Sequence, residues 1–355
     1  MPTFSSRSHL WPGVPLALGA AILFGASAPL SKLLLGSVDP WMLAGILYLG
    51  AGLGLTLIHF GRRVVGLPII EAPLRRADFP WLAAIVIFGG MVGPVLLMFG
   101  LSRTSASSGS LLLNLEGLAT MAIAWLVFRE NVDRKLLIGA FAILLGAVLL
   151  TWKGGAVEID IGALLIAGAC LAWGIDNNLT RRLSSADPVQ IASIKGLVAG
   201  AVNVALALTA GAHLPSIQFI AAGAFVGLFG IGVSLVMFML ALRHLGTART
   251  GAYFSLAPFI GAVLSIGLFA EPVTAILLAA AALMGLGLYL HLTERHQHEH
   301  LHAELEHEHR HVHDEHHQHS HDGPVVEPHS HLHRHQPIHH EHPHFPDLHH
   351  RHEHH

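Results

Sequence analysis

The sequence predicts an all-α integral membrane protein: ten transmembrane helices as two inverted five-helix repeats, followed by a disordered histidine-rich tail. Three observations carry this. First, 52% of the 355 residues are hydrophobic and only 12% are charged, whereas soluble domains have about 25% charged residues. Second, ten apolar stretches come close to the ~20 residues that a helix needs to cross a bilayer. Third, the chain repeats itself. Laid over each other without gaps, at a shift of 141 residues, Leu101–Val132 matches Leu242–Val273. The overlay pairs Leu115 with Leu256, Phe128 with Phe269, Glu130 with Glu271 and Val132 with Val273.

In chain order the spans read Val14–Leu35, Trp41–Phe60, Phe79–Leu101, Ser105–Phe128, Leu136–Trp152, Ile161–Thr180, Pro188–Ala210, Ile217–Leu242, Thr250–Ala270 and Val273–Leu292. The start imitates a signal peptide, with Arg7, an apolar run and Ala26-Ser27-Ala28. The run continues to Leu35, Pro29 stands where a mature chain would begin, and the segment has its own repeat partner, so it reads as a retained first helix. The ninth and tenth spans nearly merge at Glu271-Pro272, and proline suits the start of a helix. One cysteine, Cys170, excludes a disulfide framework. The expected units are residues 1–152 and 153–295, one five-helix repeat each, and the tail 296–355.

Orientation follows the basic residues. Alternate connections carry Arg62, Arg63, Arg75 and Arg76; Arg129, Arg134 and Lys135; Arg181 and Arg182; and Arg243 and Arg249. The opposite connections hold only Lys32, Arg103 and Lys153. Both termini are then cytoplasmic, in a multi-pass protein of the bacterial inner membrane. The repeat also reaches the first spans. Phe24-Gly25 and Lys32 match Trp173-Gly174 and Arg181, and Asp39-Pro40 matches Asp187-Pro188 after one gap. Five is odd, so the halves enter the membrane in opposite directions. This is the plan of secondary transporters with a site at the repeat interface. Small-residue stretches such as Gly50-x-Gly52-x-Gly54 and Gly223–Gly232 read as close helix contacts. Trp11, Trp41, Trp81, Trp125 and Trp152 sit near span boundaries, as an aromatic belt does.

The runs FGASAPLSK and WGIDNNLTR, with LSRTSASSGSLLLNLEGLATMAIAWLVFREN and its counterpart LRHLGTARTGAYFSLAPFIGAVLSIGLFAEP, resemble the EamA-type branch of the drug/metabolite transporter superfamily over residues 14–292. The resemblance implies ten helices in two inverted halves around a central cavity, and transport of small metabolites without ATP. Pro258 stands where the family tends to have proline in the ninth helix, whereas the first half has Glu116-Gly117 at the matching place.

Glu116 is the one charge within its span and faces Ala257 in the overlay. A mid-membrane carboxylate is costly, so it faces a protein interior or a watery path. Glu116 is therefore the first candidate for proton coupling or substrate binding, against a purely structural pairing. Lys195 is its natural partner; the alternative is a stem that snorkels to the surface. A Glu116–Lys195 pair would let an anionic or zwitterionic substrate compete for the lysine. Asp176 and Asn177, with Asn178, lie near the cytoplasmic end of the sixth span, either lining the cavity mouth or forming a plain helix-end cluster. Asn114 completes the cavity candidates, although two residues from Glu116 puts it on another helix face. Asn203 reads as helix glue, His59 and His291 as interfacial, and Glu130 and Glu271 as caps or turn-fixing acids.

Of the 30 histidines, 25 fall from His296 onward, alternating with acidic residues and prolines. Low apolar content predicts disorder, and dense neutral imidazoles bind divalent transition metals. His307, His309, His311, His313, His316, His317, His319, His321, His329, His331, His333 and His335 are the collective candidates, with a pH-dependent charged brush as the bland alternative. No P-loop or soluble catalytic domain is present, so no enzyme and no required cofactor are expected. The partners are the lipid bilayer, a small-molecule substrate and divalent metal ions, without nucleic acid. The leading expectation is an exporter of a small metabolite with a metal-binding regulatory tail. The second is a nickel, cobalt or zinc exporter, and the third a membrane-anchored metal sensor or buffer that transports nothing.

Overall fold

The computed structural model describes residues 12–65, 74–128, 134–151, 160–180, 183, 187–293, 297–301, 305–311, 329–335 and 339–343. Among the described residues ten helices are long and apolar enough to cross a membrane: Gly13–Leu34, Pro40–Arg62, Arg76–Arg103, Ala106–Val127, Arg134–Thr151, Ile161–Thr180, Val189–Thr209, Ile217–Ala241, Arg249–Phe269 and Ala275–Leu292. The recurring Asp-Pro pair starts two of them. The Asp39 carboxylate accepts from the Trp41 and Met42 N–H groups at 2.9 and 3.1 Å, and Asp187 accepts from Val189 at 2.8 Å. The acid caps free N–H groups, and the following proline loses nothing where no intrahelical bond is due.

The second span packs on the seventh, and the fifth on the tenth. At the first of these crossings a Cβ on Gly196 would come within 2.7 Å of the Gly52 Cα, so two glycines are what let the backbones touch. The first span packs on the eighth and ninth, and the sixth on the third and fourth. Each pairing is the repeat image of another or of itself, as two interlocked inverted halves require. Helical hydrogen bonding continues from Ser234 to Phe254 through the eighth–ninth connection. The chain still reverses there, because the Phe238 and Phe254 rings lie 4.7 Å apart, whereas that much straight helix would span about 24 Å.

Two features differ from simple spans. The third and eighth contain π-helical turns, Val86–Val92 and Gly227–Val233, and these coincide under the same 141-residue shift. The fourth span, expected as one helix, is broken into Ala106–Leu112 and Leu115–Phe128. The ninth breaks at the matching place, ahead of Ala257–Phe269. Pro258 explains the second break, since it has no N–H to give. In the fourth span the Asn114 side chain donates to Leu111 O at 2.8 Å, and the backbone N–H groups of Asn114 and Glu116 reach three residues back instead of four. An asparagine that offers the backbone another partner does locally what proline does in the other half.

In the tail, β1 (Gln297–Leu301), β2 (Leu305–His311), β3 (His329–His335) and β4 (His339–Pro343) form two antiparallel ladders, β1 with β4 and β2 with β3. The His-x-His alternation of these segments has the two-residue period of a strand. A two-stranded ladder alone is marginal in water and supplies no core.

Candidate functional site

The π turn of the third span organises the polar centre. Gly93 N–H bonds to Phe88 O, and Pro94 has no N–H, so the Gly89 and Gly90 carbonyls are left open to side chains. Gly89 O accepts from the Tyr48 hydroxyl at 2.7 Å and from Trp173 Nε1 at 3.1 Å. Gly90 O accepts from Asn203 Nδ2 at 3.2 Å, and Asn203 Oδ1 accepts from Trp41 Nε1 at 3.4 Å. Asn203 is thus the helix glue expected of it, whereas Trp41 points inward instead of joining an aromatic belt.

Against this turn lies an ion pair between Lys195 and Asp176, with side chains 18% and 8% exposed. A Cβ on Gly89 would run into the Asp176 carboxylate, so the glycine makes the room for the acid. This corrects the expected Glu116–Lys195 pair. Asp176, set deeper than a helix-end cluster, reaches the lysine first, and the lysine does not snorkel. Glu116 instead accepts from Asn177 Nδ2 at 3.0 Å, and the same amide donates to Thr120 Oγ1 at 3.1 Å. Asn178 ties the sixth span to the fourth by donating to Thr120 O at 3.0 Å and to Gly174 O at 2.8 Å. Glu116, Asp176 and Lys195 lie within coulombic range of one another. Glu116 stands in the first turn of its half-helix, where the backbone complements negative charge. Beside it a Cβ on Gly117 would meet nothing within 4 Å.

The polar centre has no mirror image. In the repeat registers Glu116 answers to Ala257, Asp176 to Ser27 and Lys195 to Leu47. The scaffold around it is mirrored. Gly174 packs against Ala119 and Thr120 just past the break in the fourth span, and Gly25 against Ala257 and Ile260 at the break in the ninth. Asn114 stays outside the cluster: it is 9% exposed and its amide lies 3.9 Å from Met284 Sδ on the tenth span. The buried Cys170 thiol donates to Leu112 O at 3.6 Å, at the break. Tyr48, Trp173, Thr120 and Gly89 were not anticipated from the sequence. The one available hint was a mid-span tyrosine in a chain with only 3 tyrosines.

A second polar layer crosses the face opposite the arginine-rich connections. Lys32 Nζ donates to Leu101 O and, at 3.0 Å, to Thr104 O. Glu271 accepts from Ala106 N at 2.7 Å and Ser107 N at 3.0 Å. Glu271 is thus a cap, but of the fourth span; the tenth is capped by Thr274, whose hydroxyl accepts from Leu277 N at 3.1 Å. Glu130, its repeat partner, lies outside the described residues.

With this geometry in place, the likeness to known proteins is direct. The profile of the EamA-like transporter family matches twice, over residues 11–152 and 160–293. The chain belongs to the EamA-like transporter family. Relatives include an uncharacterized transporter of Methanothermobacter thermautotrophicus, 30% identical over 74% of this chain and 81% of its own length. The uncharacterized inner membrane transporter YedA of Escherichia coli K12 is 25% identical over 72% of this chain and 82% of its own. A solved crystal structure covers 79% of this chain and 95% of its own, with a TM-score of 0.58 at 18% identity, and shows the shared fold alone. This EamA protein is accordingly a multi-pass membrane transporter. Among the described residues no three His, Cys, Asp or Glu side chains converge as metal ligands. In the tail the β2–β3 register sets His307 opposite His333, His309 opposite His331 and His311 opposite His329, with His335 opposite Leu305. His313, His316, His317, His319 and His321 lie outside the described residues.

Proposed function

We propose that this protein is a secondary transporter that exports a small amine-bearing metabolite by alternating access. The observation that carries the reading is the Glu116 carboxylate: its donor is the neutral Asn177, it adjoins a closed Asp176–Lys195 pair, and there is open space at Gly117. The pair balances itself, so the cluster keeps one negative charge, which suits an ammonium group or a proton. A zwitterion of amino-acid size would set its ammonium at Glu116 while its carboxylate competes for Lys195. No chemistry is performed on the cargo, and the chain is no enzyme.

The arginine-rich connections support a cytoplasmic position for that face and both termini in a bacterial cell. The histidine tail then meets the compartment from which cargo is taken, which favours export, and it regulates transport by binding divalent metal. Metal as the cargo itself has no support in the membrane body, where no ligand set converges among the described residues. The test is proton-driven flux of amines and amino acids in proteoliposomes. Glu116→Gln keeps the size and the hydrogen bonding but not the charge. It should lower flux at least about tenfold, the equivalent of ~1.4 kcal/mol, and flatten its pH dependence. Unchanged flux with an unchanged pH profile overturns the reading.

A further inference from the structure

We infer that Lys32 and Glu271 form the outer gate of this transporter, a two-ended clamp on the turn between the third and fourth spans. The third span ends at Arg103 and the next helix starts at Ala106, so the last carbonyls of the one and the first N–H groups of the other have no partner within their own helix. Lys32 holds the first end, donating to Leu101 O and Thr104 O. Glu271 holds the second, accepting from Ala106 N and Ser107 N. A cation on a helix C-terminus and an anion on a helix N-terminus each match the local dipole, and the two side chains also lie within coulombic range of each other.

The clamp joins elements that must separate for the outer face to open. Lys32 comes from the first span, the turn from the third and fourth, and Glu271 from the connection ahead of the tenth. Ser110, one helical turn deeper, is fully buried and its hydroxyl lies 3.4 Å from that of Ser265 on the ninth span. The face is therefore shut at the clamp and sealed beneath it.

The repeat shows that this turn has a second form. Thr104-Ser105 leaves the helix, with Thr104 extended at φ −119° and ψ 154°. The matching positions Leu245-Gly246 keep helical hydrogen bonding through the reversal between the eighth and ninth spans. One element, present twice in one molecule, is clamped and broken on one face and helical on the other. Alternating access by inverted halves needs such a pair of forms to be exchanged. Release of Lys32 and Glu271 lets the outer turn take the form its counterpart already holds.

The inference rests on the alternating-access reading, but its test needs no substrate. In full-length protein carrying Cys170→Ser, Ser110→Cys reports the space under the clamp to a membrane-impermeant maleimide added from outside. Ala280→Cys, fully buried on the tenth span facing Gly146 of the fifth, reports general loosening. Lys32→Gln and Glu271→Gln should each raise the labelling rate of Ser110→Cys at least about tenfold, and leave Ala280→Cys unlabelled. Lys32→Arg, which keeps a cationic donor, should label at the parent rate. If the glutamine variants do not reach the membrane, Glu271→Asp carries the same comparison with a shorter reach. Labelling of Ser110→Cys within twofold of the parent overturns the gate, as does an equal rise at both reporters. The expected labelling in a protein that moves no amine keeps the gate and sinks the substrate reading instead.

Discussion

Asp176 carries a negative charge inside the bundle; Lys195 is its charged partner, Thr180 Oγ1 donates to it at 3.4 Å, and the missing side chain of Gly89 leaves it room. Removing either member of a buried pair leaves the other charge without compensation, whereas removing both can be nearly neutral. Asp176→Asn should therefore lower stability by about 3–5 kcal/mol, and Asp176→Asn with Lys195→Met should recover most of that loss. Thermal unfolding in detergent measures both, and equal losses for the single and double variants would contradict the pairing. At this scale the sequence was half legible. Glu116, Asp176, Asn177 and Lys195 could all be singled out as polar groups in apolar helices. The choice of partner could not, because it depends on which helix faces which and on room left by a glycine 87 residues away from the acid.

The π turn of the third span turns backbone carbonyls into a binding surface. Gly89 O is shared by Tyr48 and Trp173, from the second and sixth spans, so one carbonyl joins three helices. Either donor alone still satisfies it. Tyr48→Phe or Trp173→Phe should each cost about 0.5–1.5 kcal/mol. The double variant leaves a buried acceptor unpaired, and should exceed the sum of the singles by about 1–3 kcal/mol. A strictly additive double mutant in the same melting experiment would mean that another donor takes over. Spans were readable because length and apolar content act locally, whereas the Asp-Pro pairs stood out as a repeat and not as caps. The π turns and the break at Asn114 were not, since each depends on one hydrogen bond stepping to a neighbouring carbonyl and neither alters the hydropathy. The Asn114 break did have a trace in the sequence, in the alignment of Glu116-Gly117 with Ala257-Pro258.

Across the whole molecule, the membrane body and the tail are separable in chemistry. The body closes its own core through the second–seventh and fifth–tenth seams, while the tail's sequence is dominated by histidine and charged residues. A chain ending at Arg295 should melt with the full-length protein and retain flux, but lose its response to Zn²⁺ or Ni²⁺. Protons compete with metal for imidazole, so metal uptake by the full-length chain should be strong near pH 7.5 and collapse by about pH 5.5, below the ordinary histidine value of ~6.5. Calorimetric titration of both chains at both pH values decides this, and equal heats from the two would remove the tail's role. The inverted plan was legible from composition, basic-residue bias and self-overlay, because these are averages over many residues. The coincidence of the two π turns reaches further back than mechanism. Each is a one-residue excess over a regular helix, and both fall in register without a gap. Two separate insertions at matching positions are a poor account of that. Copying is a better one: the excess residue was present in a single five-helix ancestor before the gene doubled. That ancestor had to insert in both orientations and pair with itself. Glu116, Asp176 and Lys195, absent from their mirror positions, are then later departures from symmetry, which a self-paired ancestor could not have held in one half alone.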